Sequence, residues 1–164
     1  MAAAEFPVID LDGAMPSGLL ALNNQFALEL SLLNADRAAF LVRQAFMACR
    51  VGEADALLLA FDQDARYDNP NFSWFRARFD RFVYIDRVVV APKMRGRGLA
   101  RALYNALFRR AAGSGHVRVV CEINWEPPNP ASDAFHAGLG FEQVGLAVLP
   151  GAGKTVRYFS RAIA

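Results

Sequence analysis

The chain has 164 residues, of which 54% are hydrophobic and 21% charged, with a formal net charge of +2 at pH 7. That length suits a single domain, residues 1–164, with a sizeable buried core, and the apolar share excludes a disordered chain. A surplus of +2 is too small to draw the protein to nucleic acid or to a membrane, although the eight bases and no acid between Arg87 and Cys121 would suit a multiply anionic small ligand.

Phe6 to Leu11 reads as a short strand. Pro16 sits where a helix can begin, and Leu19, Leu20, Asn23, Phe26 and Ala27 recur at helical spacing. Asn34 is placed to cap a second helix with Ala38, Phe40, Leu41, Ala45 and Phe46 on its apolar side. Two strands follow, Ala48 to Val51 and Ala56 to Phe61, with Gly52 and Glu53 in the turn between them. The next stretch, FDQDARYDNPNFSWFRARFDRF, is a polar and aromatic excursion too irregular for one clean element. Phe82 to Pro92 is β-branched, aromatic and stopped by proline, as a central strand would be. A helix from Gly98 to Ala112 comes after it, ended by Gly113 and Gly115. HVRVVCEIN is a further strand, NPASDAFHAGLGF a short helix, and FEQVGLAVLP with TVRYFSRAI a closing hairpin across the turn GAGK. The order β-α-α-β-β-β-α-β-α-β-β implies a mixed sheet flanked by helices, an α/β or layered α+β fold.

Cys49 and Cys121 sit in apolar surroundings without metal-ligand spacing, so they read as buried thiols, with no disulfide and no metal site. The opening MAAAEFPVIDLDG has neither the basic start nor the apolar core of a secretory leader, and no apolar run approaches the ~20 residues that cross a bilayer. A soluble, cytoplasmic protein is the expectation.

The stretch APKMRGRGLARALYNALFRRAA raises the question of function, because it can be a basic arm for RNA or a phosphate cradle. A glycine-rich turn between strand and helix favours the cradle: the first helical N–H groups lack internal partners, the helix dipole is positive there, and glycine lets backbone approach an anion. A nucleic-acid arm needs neither the strand before it nor the amphipathic helix after it. Two other phosphate motifs are excluded. The dinucleotide fingerprint G-x-G-x-x-G fails because Arg101 stands where a small residue is required. VLPGAGKT is not a nucleotide loop, since Val148 occupies the place of its first glycine and nine residues follow Thr155.

The run VVVAPKMRGRGLARAL resembles the acetyl-CoA-binding motif of the GNAT superfamily of N-acetyltransferases, with Arg95, Gly96, Arg97, Gly98, Leu99 and Ala100 matching it position by position. NPASDAFHAGLGF is similar to the superfamily's other coenzyme motif, and its Asn129, Ser132 and His136 to those of phosphinothricin-type acetyltransferases. Together the motifs cover Tyr84 to Phe141. The resemblance implies a mixed, mostly antiparallel sheet whose central strand pair splays apart, and transfer of an acetyl group from acetyl-CoA to a primary amine of a small molecule by direct attack. It also implies that the backbone of Val88 and Val90 pairs with the pantetheine, that the amides from Arg95 to Ala100 hold the pyrophosphate, and that Asn129 and Ser132 contact the lower arm of the coenzyme. Asn129 and Ser132 are equally suited to capping their own helix.

Many members place a tyrosine five residues before the Phe of Leu-Gly-Phe and use its hydroxyl for the departing thiolate. This chain has His136 there, the leading catalytic candidate because imidazole titrates near neutrality, or else a histidine packed beside Phe135. His116, at the start of a strand, reads as a surface residue. By period two, Tyr84, Asp86, Val88 and Val90 share a face, as do Glu122 and Asn124, so Asp86 or Glu122 can take the amine proton. Either acid can instead be paired with an arginine, leaving solvent as the base. Phe72, Trp74, Phe75, Phe79 and Phe82 among Arg66, Arg76, Arg78 and Arg81 either line a pocket for a small anionic amine or pack the excursion onto the core. The expected partner is thus an amine substrate, with a homodimer as an option and no nucleic acid or membrane. The rival readings are a non-catalytic acyl-CoA-binding sensor and a nucleic-acid-associated protein.

Overall fold

A computed structural model describes residues 5–151 and 153–163. Ala152, in the expected GAGK turn, and the first four residues of the opening stretch lie outside the described residues. The sheet has seven strands in the order β1-β2-β3-β4-β5-β7-β6. They are β1 (Val8–Asp10), β2 (Met47–Val51), β3 (Ala56–Asp62), β4 (Val83–Val90), β5 (Arg118–Glu126), β6 (Glu142–Leu149) and β7 (Lys154–Ala162). Neighbours run antiparallel, apart from the parallel pair β4 and β5.

Each face of the sheet carries its own core. Along β3 the side chains alternate: Leu57, Leu59 and Phe61 point to one cluster, while Ala56, Leu58 and Ala60 point to the other. All six are 0% exposed, which explains why the strand reads as an unbroken apolar run. The first core is closed by α1 (Ser17–Gln25), α3 (Ala35–Gln44) and α4 (Pro70–Arg76). The second is closed by α5 (Leu99–Gly113), whose Leu99, Leu103, Tyr104, Leu107 and Ala111 face the sheet. A four-residue helix, α2 (Ala27–Leu30), and α6 (Pro130–Gly138) complete the described helices. No helix among the described residues is long and apolar enough to cross a membrane.

Several expectations need correction. The first long helix breaks at Phe26, whose φ of −113° leaves the helical region, so α1 and α2 are separate. Ala45 and Phe46 lie beyond α3, while its Asn34 cap forms as expected, accepting from the Arg37 N–H at 2.8 Å. The irregular excursion contains α4. Its start was legible in Asn69-Pro70: Asn69 caps the Asn71 and Phe72 amides, and proline occupies the first turn, where no N–H is needed. Phe72 and Phe75 of α4 are 0% exposed and Arg76 is exposed, so these aromatic residues pack the segment onto the core. His116 is 5% exposed and meets Phe46 edge-on at 5.1 Å, so it is not a surface residue.

The period-two reading of β4 also fails, at one residue. Ile85 is opposite Ala60 but Arg87 is opposite Leu59, so Asp86 is an extra residue in a bulge. Beyond it the alternation restarts one place out of step. Tyr84 therefore belongs to the first core, whereas Val88 and Val90 pack against the second.

Candidate active site

Strands β4 and β5 touch only at their starts, where Val83 is in register with Val119 and Tyr84 with Val120. Beyond Tyr84 they diverge, leaving the β5-facing edge of β4 without a strand neighbour. A cleft of ≈ 160 Å³ lies in the gap. Asp86, Arg87 and Val88 line it from β4, Glu122 and Asn124 from β5, Tyr104 from α5, and Asn129, Ser132 and His136 from the start and body of α6. The fold thus gathers Asp86, Glu122, His136, Val88, Asn129 and Ser132, expected from different parts of the sequence, into one site. Val90 lies further along β4, opposite Ala56.

At the far end of β4, residues Arg95 to Gly98 form an exposed loop into α5. Gly96 has φ +78° and Gly98 φ +88°, the left-handed region that favours glycine, and nothing lies within 4 Å of where a Cβ would stand on either. No side chain caps α5, and its first backbone bond runs from the Ala102 N–H to the Gly98 carbonyl. The Arg95 N–H donates to the Pro92 carbonyl at 3.3 Å, whereas the amides from Gly96 through Ala100 have no such partner among the described residues and are open to an anion, at the positive end of a 15-residue helix. Leu99 has only its backbone to offer there, since its side chain is 1% exposed in the second core. The Arg95 guanidinium lies 5.2 Å from the Phe26 ring centre.

The two acids differ sharply. Asp86 accepts from the Tyr67 hydroxyl at 2.5 Å and pairs with Arg87 Nε at 2.6 Å, and Arg87 in turn donates to Asn23 at 2.9 Å. Its oxygens are committed to holding a buried arginine. Glu122 forms no ion pair among the described residues, and its buried Oε2 lacks a hydrogen-bond partner, as does the hydroxyl of the fully buried Tyr84. Burial raises the Glu122 pKa to about 8, with the Asp86 charge adding to the rise. Tyr84 and Asn71 oppose it, the Tyr84 hydroxyl lying near the carboxyl without reaching hydrogen-bonding geometry.

His136 is 6% exposed and both of its ring nitrogens are engaged. Nδ1 is 2.8 Å from the Ser132 carbonyl, and Nε2 is 2.8 Å from the Tyr104 hydroxyl. Burial lowers the His136 pKa, although the Ser132 carbonyl works against that. Tyr104 is held well above the ordinary phenol value by burial. Asn129 takes the capping role, accepting from the Ser132 N–H at 3.3 Å while also bordering the cleft.

The sequence reading missed Tyr104. Its position in α5, one residue after Leu103 on the buried face, carries no motif, and only the packing of α5 on α6 shows that its hydroxyl meets a histidine. The cleft also has two sides. Glu122 is in register with Tyr158, which like Tyr84 belongs to the first core, whereas Cys121 and Ile123 belong with Tyr104 to the second. Glu122 and the Tyr104–His136 pair therefore address the gap from opposite faces of the sheet.

Residues 47–141 match the model of the acetyltransferase (GNAT) family. The L-2,4-diaminobutyric acid acetyltransferase of Wolinella succinogenes is 25% identical over 84 residues, 51% of this chain and 49% of that enzyme, so the match spans about half the length of this curated relative. Among solved structures, yncA of Salmonella typhimurium, determined with its cofactor acetyl-CoA, superposes with a TM-score of 0.72 at 17% identity, covering 98% of this chain and 95% of that one. The ribosomal-protein-S18-alanine N-acetyltransferase of Escherichia coli superposes with a TM-score of 0.63 at 14% identity, covering 96% and 94%. At these identities the structural likeness shows a shared fold.

Proposed function

The chain belongs to the GNAT family of acetyltransferases, and from that premise we propose that residues 1–164 form one catalytic domain that transfers an acetyl group from acetyl-CoA to a primary amine of a small molecule by direct attack. The proposal rests on the gap between β4 and β5, which offers an unpaired strand edge, an open loop at a helix N-terminus and an unpaired carboxyl around one cleft. Acetyl-CoA, when bound, supplies an acyl group activated as a thioester. The edge of Val88 and Val90 would pair with its pantetheine amides as an added strand does. The amides from Gly96 to Ala100 would hold the pyrophosphate, the Arg95 amide being taken by the Pro92 carbonyl, with the Arg95 and Arg97 side chains adding charge, and Asn129 and Ser132 would border the lower arm.

Glu122 is the residue we assign as general base. Its free oxygen and a pKa near 8 suit removal of a proton from an incoming ammonium, whereas Asp86 is occupied with Arg87. Support for a small acceptor comes from the diaminobutyrate relative.

Calorimetry with acetyl-CoA, followed by free-thiol release over a panel of amino acids, 2,4-diaminobutyrate, polyamines and peptides, tests the proposal. Binding that strengthens at low salt is expected, with thiol release for at least one small amine. Binding without turnover across the panel would make the chain a coenzyme-binding module, and failure to bind would remove both readings.

A further inference from the structure

The hydrogen bonds around His136 determine which of its nitrogens carries the proton. A carbonyl oxygen only accepts, so the Ser132 carbonyl at 2.8 Å requires hydrogen on Nδ1. The neutral ring then presents a lone pair at Nε2, and the Tyr104 hydroxyl 2.8 Å away is the donor to it. Hydroxyl, imidazole and an acceptor on the far nitrogen thus stand in series, the arrangement by which a base activates a hydroxyl group. Both side chains are held in place by packing: Tyr104 is 1% exposed and His136 6%, with the ring of Phe135 5.0 Å from Tyr104 and that of Phe141 5.1 Å from His136. The pair sits across the cleft from Glu122, on the face where Val88 and Val90 lie. With Nε2 occupied, His136 addresses the cleft through Tyr104.

We infer that Tyr104 and His136 form one proton shuttle between the attacking nitrogen and the departing sulfur, Tyr104 being the catalytic residue and His136 the residue that orients it and holds the proton in transit; this rests on the acetyl-transfer reading above. As the N–C bond forms, Tyr104 Oη takes the proton released by the nitrogen and passes its own to His136 Nε2. His136 then carries one positive charge, with its Nδ1–H on the Ser132 carbonyl. As the C–S bond breaks and leaves its electron pair on sulfur, Nε2 returns the proton to Oη, and Oη delivers one to sulfur. Both side chains end as they began, and the thiol leaves neutral. Burial disfavours the charged ring, so the proton is held only briefly and returned readily. Glu122 removes the earlier proton, the one that makes the ammonium a nucleophile.

Tyr104→Phe deletes only the hydroxyl, and His136→Phe removes the Nε2 acceptor together with the Nδ1–H on the Ser132 carbonyl; both are made in the whole chain, supplied with acetyl-CoA and its best amine from the panel. Each is expected to lower kcat about 100-fold, with the acetyl-CoA Kd within about twofold of wild type. The double variant should be no slower than either single one, because a series relay is broken by either loss. A kcat for Tyr104→Phe within about threefold of wild type, or losses that multiply in the double variant, would overturn the shuttle and leave the acetyl-transfer reading standing. Nitrogen NMR of the wild-type chain gives a readout independent of turnover and of variant folding: His136 should show the Nδ1–H tautomer, and an Nε2–H tautomer overturns the inference. Wild-type protein that binds acetyl-CoA but acetylates no amine overturns both readings together.

Discussion

Glu122 and Asp86 are both strand acids beside one cleft, yet their partners set them to different tasks. Asp86 neutralises Arg87, which is 6% exposed, and removing either partner would leave a buried charge. Glu122 has no such partner and is held protonated by burial. The unfolded chain releases that proton near 4.5 and the folded chain near 8, so the unfolded state binds fewer protons in between. Stability from this group is full below 4.5, falls as pH rises to about 8, and is level above. The loss is at most about 5 kcal/mol. Glu122→Gln should flatten this part of the curve, which urea unfolding at pH 5 and pH 9 would reveal as a smaller difference than in wild type. His116 and His136, both lowered by burial, act in the opposite direction, losing stability as pH falls below 6.5, and remain in the variant as an internal control. In turnover, wild-type kcat/KM should rise with pH along a limb near 8, and Glu122→Gln should lose that limb. A limb that persists in the glutamine variant would remove Glu122 as the base.

Local irregularities in the strands place the polar groups. The Asp86 bulge lets β4 present Tyr84 to one face and Val88 to the other. A second shift, between Gln143 and Gly145, sits where β6 passes over α4. A Cβ on Gly145 would stand 2.3 Å from Trp74, whose ring stacks on Tyr158 at 4.1 Å. Tyr158 in turn donates to Asn71 and lies opposite Glu122 on β5. Gly145→Ala should therefore cost about 2 kcal/mol, as overpacking does, and shift the tryptophan fluorescence, both measurable in one urea titration. An unchanged midpoint would mean that Trp74 can leave the Tyr158 stack freely. Neither bulge was legible in the sequence, because a bulge leaves the residue types of a strand unchanged and alters only which face each one meets. The start of α4 was legible in Asn69-Pro70, but the aromatic residues crowded after it obscured the helical period.

Across the whole molecule, the sheet is continuous from β1 to β4 and again from β5 to β6, and the two halves join at two residue pairs. A ligand laid along β4 and anchored at α5 would tie the halves together, so acetyl-CoA should stabilise the entire domain. At about 100 times Kd the gain is about 2.7 kcal/mol, and for a chain of this size that raises Tm by roughly 5–10 °C. A thermal melt with and without acetyl-CoA checks it; an unmoved Tm at saturation would show that the coenzyme does not bind the native state.

The amino-acid sequence by itself determined the seven strands in their order, the helix after β4 and the glycine loop that leads into it, because each is written in local terms: apolar period, capping residues, and glycines whose backbone only glycine readily adopts. Gly96 and Gly98 could be read without knowing what surrounds them, and both take positive φ. Tertiary structure alone decided which acid is free, that both histidines are buried, and that a tyrosine 32 residues before His136 meets its ring. Those properties depend on distance, desolvation and register between elements far apart in the chain. Glu122 and Asp86 look alike as letters; only the fold gives Arg87 to one of them and leaves the other unpaired.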